Sequence, residues 1–84
     1  MRMILNRLGE LRPGDRAHIH SFRAEEDLEN FLTRLFEIGF IEGVEIEVLH
    51  EAPWSRDPMS VRIKDAVYVL RRAEADLIQV VICE

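Results

Sequence analysis

The sequence has few of the residues on which several protein classes depend. Its 84 residues include a single cysteine, and no stretch approaches the roughly 18 consecutive apolar residues of a membrane-spanning helix. A lone thiol, that of Cys83, forms no internal disulfide and excludes a multi-cysteine zinc or iron–sulfur site. No signal-peptide pattern opens the chain. We therefore expect a small cytoplasmic protein with no direct membrane insertion.

Positive charge is also scarce. Eleven basic residues stand against sixteen acidic ones, a formal net charge of −5. Binding to phosphates needs a basic face, so this balance argues against a nucleic-acid partner. The acidity is concentrated in residues 24–51, where nine acids accompany one basic residue, Arg34. These acids are either the solvated faces of a helix and a strand or an acidic docking patch for a basic partner or a cation.

The motifs of common catalytic sites are missing as well. The sequence contains no P-loop, dinucleotide fingerprint, nucleophile elbow, HExxH, CxxC or EF-hand pattern. Its length makes it one domain, residues 1–84, with little room for its own substrate cleft. We expect a binding or accessory module with no catalytic residues and no cofactor, rather than an enzyme.

Periodicity predicts one helix, over residues 24–38. Its apolar side chains recur at helical spacing and form a stripe wider than core packing requires, so we expect Phe31 and Phe36 at its margins to be partly exposed. Acids crowd its first turn, Ser21 is a candidate N-cap, and Gly39 ends it. The stripe consists of Leu28, Phe31, Leu32, Leu35, Phe36 and Ile38.

Alternating apolar residues predict five strands, at 16–22, 44–50, 59–64, 66–71 and 77–82. Residues 66–71 are almost continuously apolar, which is typical of a central strand covered on both faces. Residues 1–15 are either a short helical turn or an extended lead-in, and residues 72–76 a helical turn. The fold class is mainly β, a closed or nearly closed small barrel with a helical insertion after the first strand. If strands 44–50 and 59–64 are neighbours, Glu45 and Glu47 face Arg62 and Lys64.

Two constellations are candidates for function. His18 and His20 lie at i, i+2 on one strand face and could share a divalent metal, with a third ligand from His50, Glu51 or Cys83. Nothing in the spacing demands a metal, and the simpler interpretation is two ordinary solvent-facing histidines. Trp54, between Pro53 and Pro58, is either a lid folded over the core or an aromatic anchor for a partner protein.

Four segments of the chain together form a recognisable pattern, and one of them is RLFEIGFIEG at residues 34–43, a helix end with two glycines. This segment resembles the signature of the FeoA family, the small ferrous iron transport proteins A. The family's opening L-x-x-L-x-PGD, its RDPM loop and strand, and its closing LR-x-x-EA-x-x-I-x-V occur in order at residues 8–15, 52–63 and 70–80. Glu42 replaces a frequent proline, and Ser55–Arg56 and Asp65–Ala66 replace turns often built with glycine.

This resemblance implies an SH3-like β-barrel and a cytoplasmic accessory role in bacterial ferrous iron uptake. The partner would be the FeoB membrane transporter, contacted through its cytosolic region, which in this family includes a GTP-binding domain. We expect Phe31, Phe36, Phe40 and Trp54 to make the contact. The alternative function is a weak Fe²⁺ carrier or sensor that uses His18 and His20. A peptide-binding adaptor fits less well, because few aromatic residues cluster. Self-pairing of exposed strand edges into a homo-oligomer stays open.

Overall fold

The computed structural model describes residues 3–23 and 29–83. These residues form six strands, two helices and a 3-10 turn at Leu8–Glu10. The strands are β1 (Met3–Arg7), β2 (Arg16–Phe22), β3 (Glu45–Glu51), β4 (Met59–Ile63), β5 (Ala66–Leu70) and β6 (Ile78–Cys83); the helices are α1 (Glu29–Glu37) and α2 (Arg72–Ala75).

All six strands belong to one antiparallel sheet in the order β1-β6-β2-β3-β4-β5. The mainly β class is confirmed, but β1 adds a sixth strand, so the helix follows the second strand rather than the first. The word barrel is loose, because β1 and β5 do not pair with each other among the described strands. Residues 1–15 contain both alternatives predicted for them, an extended strand and a helical turn.

Alternation along the strands builds the core. Ile46 and Val48 on β3 and Met59, Val61 and Ile63 on β4 are buried, as predicted. Burial of such side chains contributes about 1.5–3 kcal/mol each. Leu8 of the 3-10 turn, Phe40 in the loop after α1 and Leu70 at the end of β5 complete the core.

Helix α1 packs Leu32 and Leu35 into this core. The first part of the predicted helix, residues 24–28 with Leu28 and its acids, lies outside the described residues. Gly39 follows the helix with a φ of 108°, the left-handed conformation that costs glycine little. The N-cap assignment of Ser21 is wrong, because Ser21 is a residue of β2 and its hydroxyl donates to Gln79 Oε1 at 3.1 Å.

Two further expectations about strands need correction. Strand β5 is an edge strand, not a central one, and its outward Val67 and Val69 are exposed. The predicted charge pairing across β3 and β4 is half right. Glu47 lies opposite Arg62, with 3.4 Å between Glu47 Oε1 and Arg62 Nη1, whereas Lys64 lies in the turn after β4.

Candidate partner-binding surface

The end of α1 presents an exposed apolar patch. Phe36, Ile38 and Ile41 fall within six residues, and Phe36 is 49% exposed. The Phe36 ring packs edge-on against Phe22, with centroids 4.8 Å apart. One edge of the ring is therefore fixed while the other faces solvent. We call Phe36, Ile38 and Ile41 the helix-end patch.

The backbone beneath the helix-end patch is held firmly. Tyr68 on β5 donates its hydroxyl to the Ile38 carbonyl at 3.0 Å, and the Phe40 N–H donates to the Leu35 carbonyl at 2.9 Å. Such anchoring lowers the conformational entropy that binding would otherwise cost.

The other predicted helix aromatics occupy different environments. Phe31 is partly buried and packs against the core. Phe40 is fully buried, with its ring edge-on to Tyr68 at 5.2 Å. Phe40 is therefore a core residue with no surface to offer a partner, and we remove it from the contact set.

Trp54 stands fully exposed in the loop between β3 and β4. This excludes the lid hypothesis, because an indole folded over the core would be covered. The residue has a φ of 72°, and Arg56 one of 61°. Such left-handed conformations cost non-glycine residues about 1 kcal/mol or more each and concentrate at functional sites.

The loop that carries Trp54 is ordered by hydrogen bonds. The Arg56 N–H donates to the Ala52 carbonyl at 2.9 Å, and the Ala52 N–H to the Pro58 carbonyl at 3.0 Å. The Arg72 N–H reaches Asp57 Oδ1 at 3.0 Å. The exposed indole is therefore presented on a supported turn.

The Arg72 guanidinium joins this loop to the rest of the molecule. Its Nε donates to the Arg56 carbonyl at 2.7 Å, its Nη1 to the carbonyls of Gly9 and Leu11, and its Nη2 to Glu51 Oε1 at 2.7 Å. The side chains of Arg72 and Glu51 are only 18% and 14% exposed. The sequence alone did not reveal this network, because the residues that the Arg72 side chain contacts are 16 to 63 positions away from it and no local motif marks them.

Arg12 adds a second guanidinium to this network. It makes a bidentate pair with Glu51, with both nitrogen–oxygen distances at 3.1 Å. A groove of about 370 Å³ lies beside the network, lined by Gly9, Glu10, Arg12, Ser55, Arg56, Asp57 and Arg72. Because Glu51 is held by two guanidinium groups, it is an unfavourable choice as the third ligand of a histidine metal site.

His18 and His20 are both exposed on β2. His18 lies directly across from Glu45 in the β2–β3 register, and the His20 Nδ1 is 3.0 Å from the Ser21 hydroxyl. Among the described residues, no three His, Cys, Asp or Glu side chains come close enough together to hold a metal ion. The side chain of Cys83 lies outside the description. The metal site at His18 and His20 stays a prediction.

Glu10 has a perturbed carboxyl. The backbone N–H of Arg7 donates to Glu10 Oε1 at 3.0 Å, and the Arg7 Nε does so at 3.1 Å. The backbone hydrogen bond, followed by the side-chain one, lowers the pKa of Glu10 below its ordinary value. This contact closes the 3-10 turn beside the groove.

The model of the FeoA domain matches residues 6–82. The chain belongs to the FeoA domain family. Of the helices that the structure describes, neither is long and apolar enough to cross a membrane.

Individual relatives agree with the FeoA assignment. A Porphyromonas gingivalis protein, named an Fe(2+) transport protein A/Fe(2+) transporter FeoB fusion protein, is 42% identical over 74 residues. The match covers 88% of this chain and 8% of that relative, so the chain spans under a tenth of its length.

Solved FeoA structures share the fold. The FeoA protein from Chlorobium tepidum is 35% identical with a TM-score of 0.78, and the match covers 94% of this chain and 71% of that one. FeoA from Stenotrophomonas maltophilia, solved with zinc and described as a prokaryotic SH3 domain protein, is 27% identical with a TM-score of 0.77, over 87% and 86% of the two chains. The expected SH3-like FeoA architecture is confirmed.

Proposed function

We propose that this chain is an accessory module of ferrous iron uptake that docks on the cytosolic region of an FeoB transporter. The observation that carries the proposal is the Porphyromonas gingivalis relative, in which a homologous segment belongs to the same polypeptide as FeoB. Fusion keeps two domains at a high effective concentration, which is useful when they must bind one another.

Trp54 and Phe36 support the proposal at the level of the surface. Both are exposed aromatic side chains on backbone that hydrogen bonds hold in place. Interface hot spots are enriched in aromatic residues, and a preorganised support reduces the entropy lost on docking. We assign Trp54 and the helix-end patch as the FeoB-contacting surface, with Phe31, which is partly buried on the same helix, as a supporting residue.

Phe36→Lys tests this assignment. Lysine is compatible with the carboxyl end of a helix, so α1 should persist while the patch gains a charge. We expect the dissociation constant for the isolated cytosolic region of FeoB from the same organism to rise about tenfold or more. Isothermal titration calorimetry measures it.

Leu5→Lys is the matched control. Leu5 is similarly exposed, and it lies on β1, which β6 separates from the β2 strand whose Phe22 contacts Phe36. Its substitution should leave the affinity unchanged. Equal affinities for Phe36→Lys and the unsubstituted chain, with both folded by circular dichroism, would refute the role of the helix-end patch.

The alternative function is Fe²⁺ handling by His18 and His20. Both imidazoles are exposed, and Glu45 opposite His18 could add a carboxylate. This hypothesis predicts anaerobic Fe²⁺ binding that disappears in the His18→Ala, His20→Ala double variant. Absence of binding at stoichiometric concentrations of Fe²⁺ would dispose of it.

A further inference from the structure

Strand β5 leaves one of its edges without a partner strand among the described residues. It stands at the end of the sheet order, and β4 is its only neighbour there. Natural edge strands are commonly protected by charged residues or proline. The five residues of β5, Ala-Val-Tyr-Val-Leu, contain neither, and the outward side chains of Val67 and Val69 are 55% and 67% exposed.

The register shows which backbone groups are free. A two-residue turn joins β4 to β5, and Ile63 and Ala66 are the pair that closes it. In such a hairpin the closing pair is hydrogen-bonded, and bonded and non-bonded pairs alternate from there. Val67 and Val69 are therefore non-bonded toward β4, and their N–H and C=O groups point to the free edge.

The edge is held in place from its inner side. Tyr68 between the two valines bonds the Ile38 carbonyl and packs its ring against Phe40. The strand is therefore preformed for pairing, and little ordering is needed when it binds.

We infer that a second copy of this chain pairs with β5 antiparallel across a two-fold axis at Tyr68. This register places Val67 of each copy opposite Val69 of the other. The two pairs share four backbone hydrogen bonds and bring the exposed valines together.

Charge complementarity selects this register over its neighbours. Residues 65 and 71 flank the strand symmetrically, so Asp65 of each copy lies opposite Arg71 of the other. Both side chains are exposed. A slip of two residues in either direction keeps the backbone pairing but places Asp65 opposite Val69 or Ala73, and both ion pairs are lost.

Pairing of β5 with β5 of a second copy also gives a closed dimer. The other sheet edge, β1, ends in Arg7, which is already paired with Glu10. Joining β1 of one copy to β5 of the next would be head-to-tail and would continue into open chains, whereas β5 with β5 stops at a dimer.

The test is self-association of the full chain from about 10 μM to about 1 mM, the range in which a small edge-to-edge contact would be populated. Analytical ultracentrifugation should show a monomer–dimer equilibrium. Amide hydrogen exchange at Val67 and Val69 should slow as concentration rises, while exchange at Met3 and Leu5 on the other edge should not change. A monomer throughout this range overturns the inference.

Two variants separate β5 pairing from other modes of association. Val67→Pro removes an N–H that faces solvent in the monomer, where proline is tolerated, and should raise the dimer dissociation constant about tenfold or more. Asp65→Arg replaces attraction with repulsion and should weaken the dimer about fivefold or more; adding Arg71→Asp should restore it. The charge variants keep the test decisive if the proline variant fails to fold. A dimer indifferent to both substitutions would use another surface and contradict the inference.

Discussion

Arg72 shows how one side chain determines the conformation of a loop that carries no regular structure. The loop between β3 and β4 buries little apolar surface of its own, and Trp54 at its tip contributes none. Its position instead depends on polar bonds, several of which converge on Arg72. Because this guanidinium is mostly buried, its removal takes a donor from three backbone carbonyls and leaves Glu51 with Arg12 alone. That loss is more costly than the loss of a surface ion pair.

Arg72→Lys should therefore be destabilising, although lysine keeps the positive charge. An ammonium cannot reproduce the geometry that reaches Glu51 and two separate segments of backbone. We expect the free energy of unfolding to fall by about 2 kcal/mol, measured by urea denaturation. Arg71→Lys, at the exposed neighbouring position, should change it by less than about 0.5 kcal/mol. Equal effects of the two substitutions would contradict the account of the network.

Glu10 makes a pH-dependent contribution. Its pKa is lower in the folded chain than in the unfolded one, because Arg7 stabilises the carboxylate. The stabilisation is therefore fully present above the unfolded pKa, near 4.5, and is lost as pH falls through the lower folded value. The stability difference between the unsubstituted chain and Glu10→Gln should shrink across that acid range in pH-dependent urea denaturation. A difference independent of pH would mean that the carboxylate contributes no charge-dependent stability.

At the scale of elements, the strands with one buried face were predictable. Residues 16–22, 44–50 and 59–64 alternate between apolar and polar residues, and each is a strand within a residue or so of its predicted bounds. The failures have physical causes. β1 carries Leu5 at helical spacing from Leu8, which obscured its extended form. β5 has valines at its outward positions, so its pattern resembled that of a strand covered on both faces.

A matched pair of substitutions distinguishes edge from core. Val69→Thr on β5 places a hydroxyl in solvent and should change the free energy of unfolding by less than about 0.5 kcal/mol. Val61→Thr on β4 buries the same hydroxyl among apolar side chains and should cost about 1–3 kcal/mol. Thermal unfolding of both variants at one concentration below dimer formation measures the contrast. A large loss for Val69→Thr would mean that β5 is covered in the monomer.

At the scale of the whole molecule, sequence reasoning placed the candidate surface only in part. Phe36 and Trp54 were expected to contact a partner, and both are exposed. Phe40 was grouped with them, yet its position after Gly39 turns it back into the core. Exposure depends on such changes of chain direction and on contacts between distant segments, as with Tyr68 and Ile38. The periodicity of residues within one element does not reveal these changes of direction or these contacts.

The helix-end patch and the Trp54 loop share one feature that affects docking. Each is an apolar group on a rigid support, so binding should proceed without large rearrangement of this chain. To regulate a transporter, this chain would then have to bind the transporter's different conformations with different affinities, because a ligand shifts an equilibrium only by its differential affinity. Affinities measured with and without a GTP analogue on FeoB test whether such a difference exists.

The most direct measurement uses the single tryptophan of the chain. Labelled as 5-fluorotryptophan, Trp54 gives one ¹⁹F resonance that reports on its environment while the isolated cytosolic region of FeoB is added. We predict a saturable change of shift and linewidth, as the indole leaves water, with a midpoint below about 100 μM. A resonance unchanged while calorimetry shows saturation would remove Trp54 from the interface. No saturable change by either method, with or without a GTP analogue, would contradict docking on this region of FeoB.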